Sequence, residues 1–453
     1  MPAHRVAAVV PTWNEGESIG RVVAGLRDAG ACCVFVVDAG SSDGTPAAAA
    51  AAGATVVEED RRGYGRACLT GAETALASGH PLIAFLDGDG SCDPAELPNL
   101  VAAADRSGAD LVLGCRDRVE AGALPWHART GNRLVGVLLR IRTGKPVGDL
   151  PPFKLARAEA LASLSLDEAG YGWTVQLVGR TLAHPAMRVV EIPSRFARRA
   201  GGTSKVSGQL VPSLRAAVAM LRQAWAATRG RGLLVVMAKA PRAGSSKTRM
   251  ERDLGSAAAV EFWSACLGDT GDLVRRAAGR TGLDVAAMAP TVDDAELVRR
   301  LTGLPTIVQR DPGLGPALFE ISALAVPFSI ALSADVPNLP AEMIDRAANT
   351  LRSHPAVLGP GLDGGYYLVG LRHGVRGSVR RKAFLEAPMG TATVLSHTRS
   401  VLGDPPLLDP WPDVDTAEEL RVLLKSLAGG SAGAPRVGAW AAGRHAVSDE
   451  QAV

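Results

Sequence analysis

Short β-branched runs that alternate with alanine-rich stretches, each run ending in polar or glycine residues, constrain this chain more than any other feature. In the first 115 residues the runs are "VAAVVPT", "CVFVVDAG", "TVVEED", "LIAFLDGDG" and "DLVLGCR". Apolar runs of this kind read as strands buried on both faces, so the pattern predicts a parallel α/β sheet covered by helices on either side. The polar ends then share the carboxyl edge of the sheet, where such folds bind ligands. Asn14, Asp38, Asp87 and Asp89 all fall there.

Near residue 230 the pattern restarts, with "RGLLVVMAKAPRAG", "LDVAAMAP", "FSIALSADVPNLPAEM" and "PAVLGPGLDGGYYLVGL" as strands and their loops. The second half echoes the first: "FLDGDGSCDPAEL" leads to "DLVLG" at nearly the distance by which "ALSADVPNLPAEM" leads to "AVLGPG". A chain of 453 residues is too long for one ordinary core. The expected organisation is therefore two tandem Rossmann-like domains, residues 1–208 and 232–427, with an amphipathic linker helix over 209–231 and a structureless tail over 428–453. In the linker, Leu214, Val218, Leu221 and Trp225 recur at helical spacing beside Arg215, Arg222 and Arg229. Such a helix packs on a domain or lies on an anionic membrane surface.

Composition narrows the function classes. Apolar residues make up 47%, charged residues 21%, and the formal net charge is +3, which points to a globular protein and gives no global attraction for nucleic acid. The six cysteines show no CxxC pair and no metal-ligand spacing, so they are expected to be reduced, in a cytoplasmic protein. No signal-peptide pattern and no membrane-spanning apolar run is present, so any membrane contact is expected to be peripheral, at the inner face.

The stretch "FLDGDGSCDP" places Asp87, Asp89 and Asp93 within seven residues. Carboxylates this close repel unless water, a cation or a positive substrate sits among them. The stretch is therefore a solvated turn or a metal site. An Asp-x-Asp at a strand end suits a divalent cation that neutralises the diphosphate of a nucleotide-sugar donor.

"VVPTWNEGESI", "VVDAGSSDGT", "RRGYGRACLTG", "FLDGDGSCDP" and "DLVLGCR" stand in the order found in the family-2 glycosyltransferases of GT-A fold, which residues 5 to 210 resemble. "GDLPPFKLARAEAL", "YGWTVQLVGRTL" and "VVEIPSRFARRAGGTSKVSG" look like the dolichol- and polyprenyl-phosphate sugar transferase branch. The resemblance implies a metal-dependent glycosyltransferase with a nucleotide-sugar donor. Pro11, Asn14 and Glu15 would line the nucleotide pocket, Asp38 would hold the base or ribose, and Asp87 with Asp89 would bind Mg²⁺ or Mn²⁺. Lys154 would contact phosphate where many relatives carry arginine. The resemblance also implies Arg199, Ser204 and Lys205 at an acceptor phosphate, with Asp149 orienting acceptor or metal. A phosphate is already ionised at neutral pH, so its attack needs positioning and charge compensation more than a strong base. Polyprenyl phosphate and a soluble phosphorylated acceptor both fit.

In the second half "MAKAPRAGSSKTRM" is not a Walker loop, because Ser246 stands where glycine must precede the lysine. The stretch resembles the glycine loop of GT-A-like nucleotidyltransferases. With "LSADVPNLP", "LGPGLDGGYYLVGL", "GTATVL" and "PDVDTAEEL", residues 232 to 426 look like the radical-SAM/selenodomain-associated transferase family. That likeness implies a nucleotide site in which Lys247 and Arg249 compensate triphosphate or diphosphate charge while Gly244 lets backbone amides approach. Asp335 would bind metal, Asp363, Gly364 and Gly365 would form a substrate loop, and Asp413 or Asp415 would supply a second carboxylate. As residues just before "TAEEL", those two also suit helix capping. Three readings follow: a glycosyltransferase fused to a nucleotidyltransferase-like domain, a nucleotidyltransferase that makes an NDP-activated donor from a nucleoside triphosphate, or a second domain that only binds nucleotide as sensor or scaffold.

Overall fold

The computed structural model describes residues 6–123, 126–199, 210–244, 246–428 and 433–450, and the chain divides into two compact units, Met1–Arg229 and Gly230–Val453. Ser204 and Lys205, expected at the acceptor phosphate, lie outside the described residues.

The first unit is built on seven strands: β1 (Val6–Thr12), β2 (Ala31–Asp38), β3 (Thr55–Glu58), β4 (Leu82–Phe85), β5 (Leu111–Val119), β6 (Lys154–Arg157) and β7 (Val189–Phe196). They form one sheet in the order β3-β2-β1-β4-β6-β5-β7, parallel except for β6, which runs against both neighbours. Alternate residues face opposite sides, and both sides are buried. Ala7, Val9 and Phe85 join one core cluster with Cys68, Trp173 and Val178, while Ala8, Val10 and Ala84 join another with Ile19, Val23 and Leu100. Helix Ile19–Asp28 shows how the second layer is specified, since its buried Ile19, Val22, Val23 and Leu26 recur at i, i+3, i+4 and i+7.

The second unit has strands β8 (Leu233–Met237), β9 (Asp284–Ala289), β10 (Thr306–Val308), β11 (Phe328–Ser333), β12 (Ala356–Pro360) and β13 (Tyr366–Arg372). Their order is β10-β9-β8-β11-β13-β12, with β13 antiparallel to both neighbours. Numbered within each unit, both sheets read 3-2-1-4-6-5, and the first adds β7 at one edge. The echo in sequence is thus a repeat of topology, two tandem α/β domains built on one strand order.

Close backbone contacts fix helices onto their neighbours. In helix Ser256–Thr281, a Cβ on Gly271 would lie 2.1 Å from the Thr302 carbonyl oxygen, and the obstacle is backbone. Gly271→Ala is expected to cost about 1–3 kcal/mol through forced displacement, read as a lower melting temperature of the second unit. An unchanged melt would show that the two segments can separate without loss.

Two expectations fail. The segment expected as a linker, helix Leu210–Ala227, belongs to the first unit and packs on helices Trp126–Thr143 and Trp173–Ala183. Its packed face keeps only part of the predicted apolar stripe, for Leu221 is partly buried against the core beside Met220. Ala224 and Ala227 are buried, while Val218 and Trp225 are exposed. The small alanines win because they allow close approach: a Cβ on Gly179 would meet the Ala227 methyl at 2.9 Å. The tail, expected to be structureless, forms helix Pro435–Glu450. Its first amides, those of Arg436 and Val437, donate to the Asp269 carboxylate at 3.0 and 2.9 Å. Val437 is buried, and the Trp440 and Phe262 ring centroids are 5.3 Å apart. A weakly amphipathic segment becomes helical when a partner satisfies its end and covers its face.

Candidate active site

In the first unit the loops after β1 and β2 meet through hydrogen bonds. Asn14 has φ 53°, its amide donates to Ser41 Oγ at 2.8 Å, and its Oδ1 accepts from the Ser42 amide at 2.9 Å. The Glu15 amide donates to Thr45 Oγ1 at 2.9 Å. Asp38 is buried, and its Oδ2 accepts from the amides of Gly40 and Ser41 at 3.1 and 2.9 Å, so it shapes the turn after β2. Pro11 is buried within β1, opposite Val37.

The three aspartates after β4 have separate fates. Asp93 caps a short 3-10 turn, Pro94–Glu96, accepting from the Ala95 amide at 3.0 Å. Asp89 is buried, its Oδ1 accepts from the Ser91 amide at 2.9 Å, and its Oδ2 lies 2.9 Å from Arg199 Nε. Asp87 Oδ1 is a buried oxygen with no hydrogen-bond partner. Burial, then the neighbouring Asp89 charge, push the Asp87 carboxyl up to about 6, against the opposing charges of Lys154 and Arg199.

Strand β7 delivers Arg199 to this turn. Cys92 bridges Phe196, and the Ala197 amide donates to the Ser91 carbonyl at 2.8 Å, which lays residues 196–199 alongside the loop after β4. Arg199 thus spans Asp89 and Glu15, whose Oε1 is 3.6 Å from Nη1. A guanidinium held between two acids marks the point where positive charge is wanted, and the orphaned Asp87 oxygen beside it fits a divalent cation carried by carboxylates and phosphate oxygens.

Lys154 and Asp149 require correction. Lys154 is fully buried; its Nζ donates to the Pro152 carbonyl at 3.1 Å and lies 5.3 Å from the Trp173 ring centre. Enclosed in this way it reaches no phosphate; burial pulls its pKa down, and its charge acts on Asp87 from within the core. Asp149 is bound on both oxygens by Arg116, Oδ2 to Nε at 2.8 Å and Oδ1 to Nη2 at 2.6 Å. Burial opposes that charge, yet the Arg116 hydrogen bonds and guanidinium hold the carboxyl below the usual range. Asp149 is therefore a positioning residue for Arg116 rather than a free carboxylate for acceptor or metal. Arg116 itself was not anticipated. The available signal was a charged residue ending the run "DLVLGCR", at the same sheet edge as the aspartates.

In the second unit the equivalent edge collects Asp335, just after β11, with Asp413 and Asp415. One oxygen from each lies within 4.8 Å of the others. Lys247, with φ 54°, reaches into this group: its Nζ donates to Asp335 Oδ2 at 3.1 Å, to the Val414 carbonyl at 2.9 Å and to Asp415 Oδ1. Burial, then the charges of Asp335 and Asp415, push the Asp413 carboxyl up to about 6.

The capping alternative for Asp413 and Asp415 is resolved by their neighbours. Glu419 Oε2 accepts from the amides of Asp415 and Thr416 at 2.8 Å, and Thr416 Oγ1 accepts from the Glu419 amide at 3.3 Å. This is a capping box on helix Ala417–Ala428, made without either aspartate carboxylate. Asp363, Gly364 and Gly365 form the tip between β12 and β13, where Gly364 has φ +86° and a Cβ would lie 2.3 Å from the Ala392 carbonyl oxygen. Gly244 departs from expectation: its amide is taken by Glu251 Oε1 at 2.8 Å, so it is not open to a phosphate. Arg249 is exposed on helix Thr248–Leu254.

Comparison with known proteins divides the chain in the same way. Residues 7–164 match the family model of glycosyl transferase family 2, and residues 272–391 match an uncharacterized protein family conserved in bacteria (DUF2064). An uncharacterized glycosyltransferase of Mycobacterium tuberculosis is 41% identical over 214 residues, 47% of this chain and 95% of the relative. An undecaprenyl-phosphate mannosyltransferase of Micrococcus luteus is 34% identical over 221 residues, 46% of this chain and 89% of the relative. Among solved structures, a putative nucleotide-diphospho-sugar transferase from Desulfovibrio desulfuricans superposes with a TM-score of 0.41 at 23% identity, over 48% of this chain and 95% of that one.

Proposed function

Because the chain belongs through its first unit to glycosyl transferase family 2, we propose that this unit moves a hexosyl group from a nucleotide sugar to a phosphorylated acceptor, polyprenyl phosphate foremost, with Mg²⁺ or Mn²⁺ bound. The observation that carries the reading is the meeting of Asp87, Asp89, Glu15 and Arg199 at the carboxyl edge of the sheet. Asp87 and Asp89 would hold the cation, which supplies charge compensation for the departing nucleoside diphosphate. The chain's own groups position the reactants. Arg199, oriented by Asp89 and Glu15, offers its guanidinium to a phosphate, and Arg116, held by Asp149, adds a second fixed cation. Asp38 and Asn14 shape the loop against which the nucleoside would rest, and Arg199, Ser204 and Lys205 are assigned to the acceptor phosphate.

The direct experiment incubates the full chain with nucleotide sugars, Mn²⁺ or Mg²⁺, and either polyprenyl phosphate or a soluble phosphorylated acceptor. The expected result is a glycosylated acceptor and free nucleoside diphosphate, both lost on chelation. Binding of donors without turnover on any acceptor would contradict the proposal.

The second unit is proposed to transfer a nucleotidyl group, with a metal on Asp335, Asp413 and Asp415 and the donor facing the loop of Asp363 to Gly365. Its support is the close approach of those three carboxylates. Incubation with nucleoside triphosphates and sugar 1-phosphates is expected to release pyrophosphate, and Asp335→Ala is expected to reduce that release about 10²-fold or more. Undiminished release by a folded Asp335→Ala protein would remove this site from the chemistry.

A further inference from the structure

Two helices of the first unit present apolar side chains to water, edged by arginine. On Trp126–Thr143, Leu134, Val137 and Ile141 are 54%, 48% and 74% exposed, and their spacing puts them on one helix face. Arg133 and Arg140, also exposed, flank that stripe. On Leu210–Ala227, Val218 and Trp225 are 41% and 50% exposed, with exposed Arg222 between them. The helices pack on each other, and Arg142 joins the two faces. Its guanidinium lies 4.1 Å from the Trp225 ring centre, and its Nε donates to Thr228 Oγ1 at 3.3 Å.

Charge decides what can cover this face. Neither helix contains an aspartate or glutamate, and none occurs between Glu120 and Asp149 or between Glu191 and Glu251. Helices that meet only water mix both signs of charge. Aliphatic side chains flanked by arginine, with a half-exposed tryptophan, suit a helix lying among lipid headgroups: the apolar stripe enters the acyl boundary while the guanidinium groups meet phosphates. A second copy of the chain would set arginine against arginine and is disfavoured by the same charges.

We infer that this two-helix face docks on an anionic membrane surface. None of the described helices is long and apolar enough to cross a membrane, so the contact is interfacial. It rests on electrostatic attraction and a modest apolar stripe together, and therefore weakens with salt. The inference does not rest on the sugar-transfer reading, although docking would bring the protein to the surface at which a polyprenyl phosphate displays its headgroup.

The test is flotation of the full chain with vesicles of phosphatidylcholine containing phosphatidylglycerol, against vesicles of phosphatidylcholine alone. Binding to the anionic vesicles is expected to be about tenfold or more stronger, and to fall at high salt. Val137→Glu with Ile141→Glu, and separately Arg133→Glu with Arg140→Glu, should each lower it about tenfold or more. The melting temperature should stay unchanged, since these side chains already meet water. Failure of the unmodified protein to float with anionic vesicles, or equal flotation of either variant, overturns the inference. So does a self-association that Ile141→Glu abolishes while vesicle binding persists. Transfer to a soluble acceptor, measured in parallel without lipid, tests the transfer reading independently.

Discussion

Replacing Asp89 by alanine is expected to lower sugar transfer about 10²–10³-fold in kcat/KM while leaving the first unit folded. One carboxylate does two tasks here: its Oδ2 holds Arg199 Nε at 2.9 Å, and it stands beside the unpartnered Asp87 oxygen where a divalent cation fits. Its loss would free Arg199 to swing toward Glu15 and leave Asp87 as a lone ligand. Asp93→Ala is the matched control. Asp93 caps a 3-10 turn, so its removal should cost about 1 kcal/mol in stability and little activity. Transfer and divalent-ion binding are measured on both variants, with circular dichroism to verify the fold. A folded Asp89→Ala protein that transfers within tenfold of the unmodified rate would sink the assignment.

The second large effect concerns stability. Asp149→Ala would strand Arg116, whose side chain is only 10% exposed, without its bidentate partner. Breaking such a buried pair from one side costs about 3–5 kcal/mol, or about 10 °C in the melt of a domain of this size. The double variant Arg116→Met, Asp149→Ala should recover part of the loss, because no charge is then left buried and unpaired. The sign with pH also follows. The Asp149 carboxyl is held below the usual range, so its stabilisation is present above the unfolded value and disappears as pH falls through the folded one. The gap between the unmodified protein and Asp149→Asn should therefore close in acid. A melt unmoved by Asp149→Ala would mean that water already compensates Arg116.

Much of the site's location was legible because strands in a parallel sheet all end on one edge. A run such as "LIAFLDGDG" buries its apolar part and leaves its polar end at that edge, so Asp87 and Asp89 could be placed without coordinates. The pairings were less legible. Lys154 reads as a charged residue near a motif, yet it faces the core from β6, a strand whose antiparallel placement between β4 and β5 no local pattern announces. The helix Leu210–Ala227 shows the same limit. Its larger apolar residues suggested a packed face, but close approach to Gly179 selected the alanines and turned Val218 and Trp225 outward.

The amino-acid sequence by itself determined the two-fold recurrence of one pattern of strands and loops and the edge on which the acidic residues gather, because periodicity, strand length and turn chemistry act locally. The tertiary structure alone decided which charge meets which. Arg116 finds Asp149 across 33 residues, and Lys247 finds Asp335 and Asp415 across 88 and 168. Those distances close only when the sheet is assembled, since an ion pair is set by spatial approach in a partly dry environment and leaves no periodic trace along the chain.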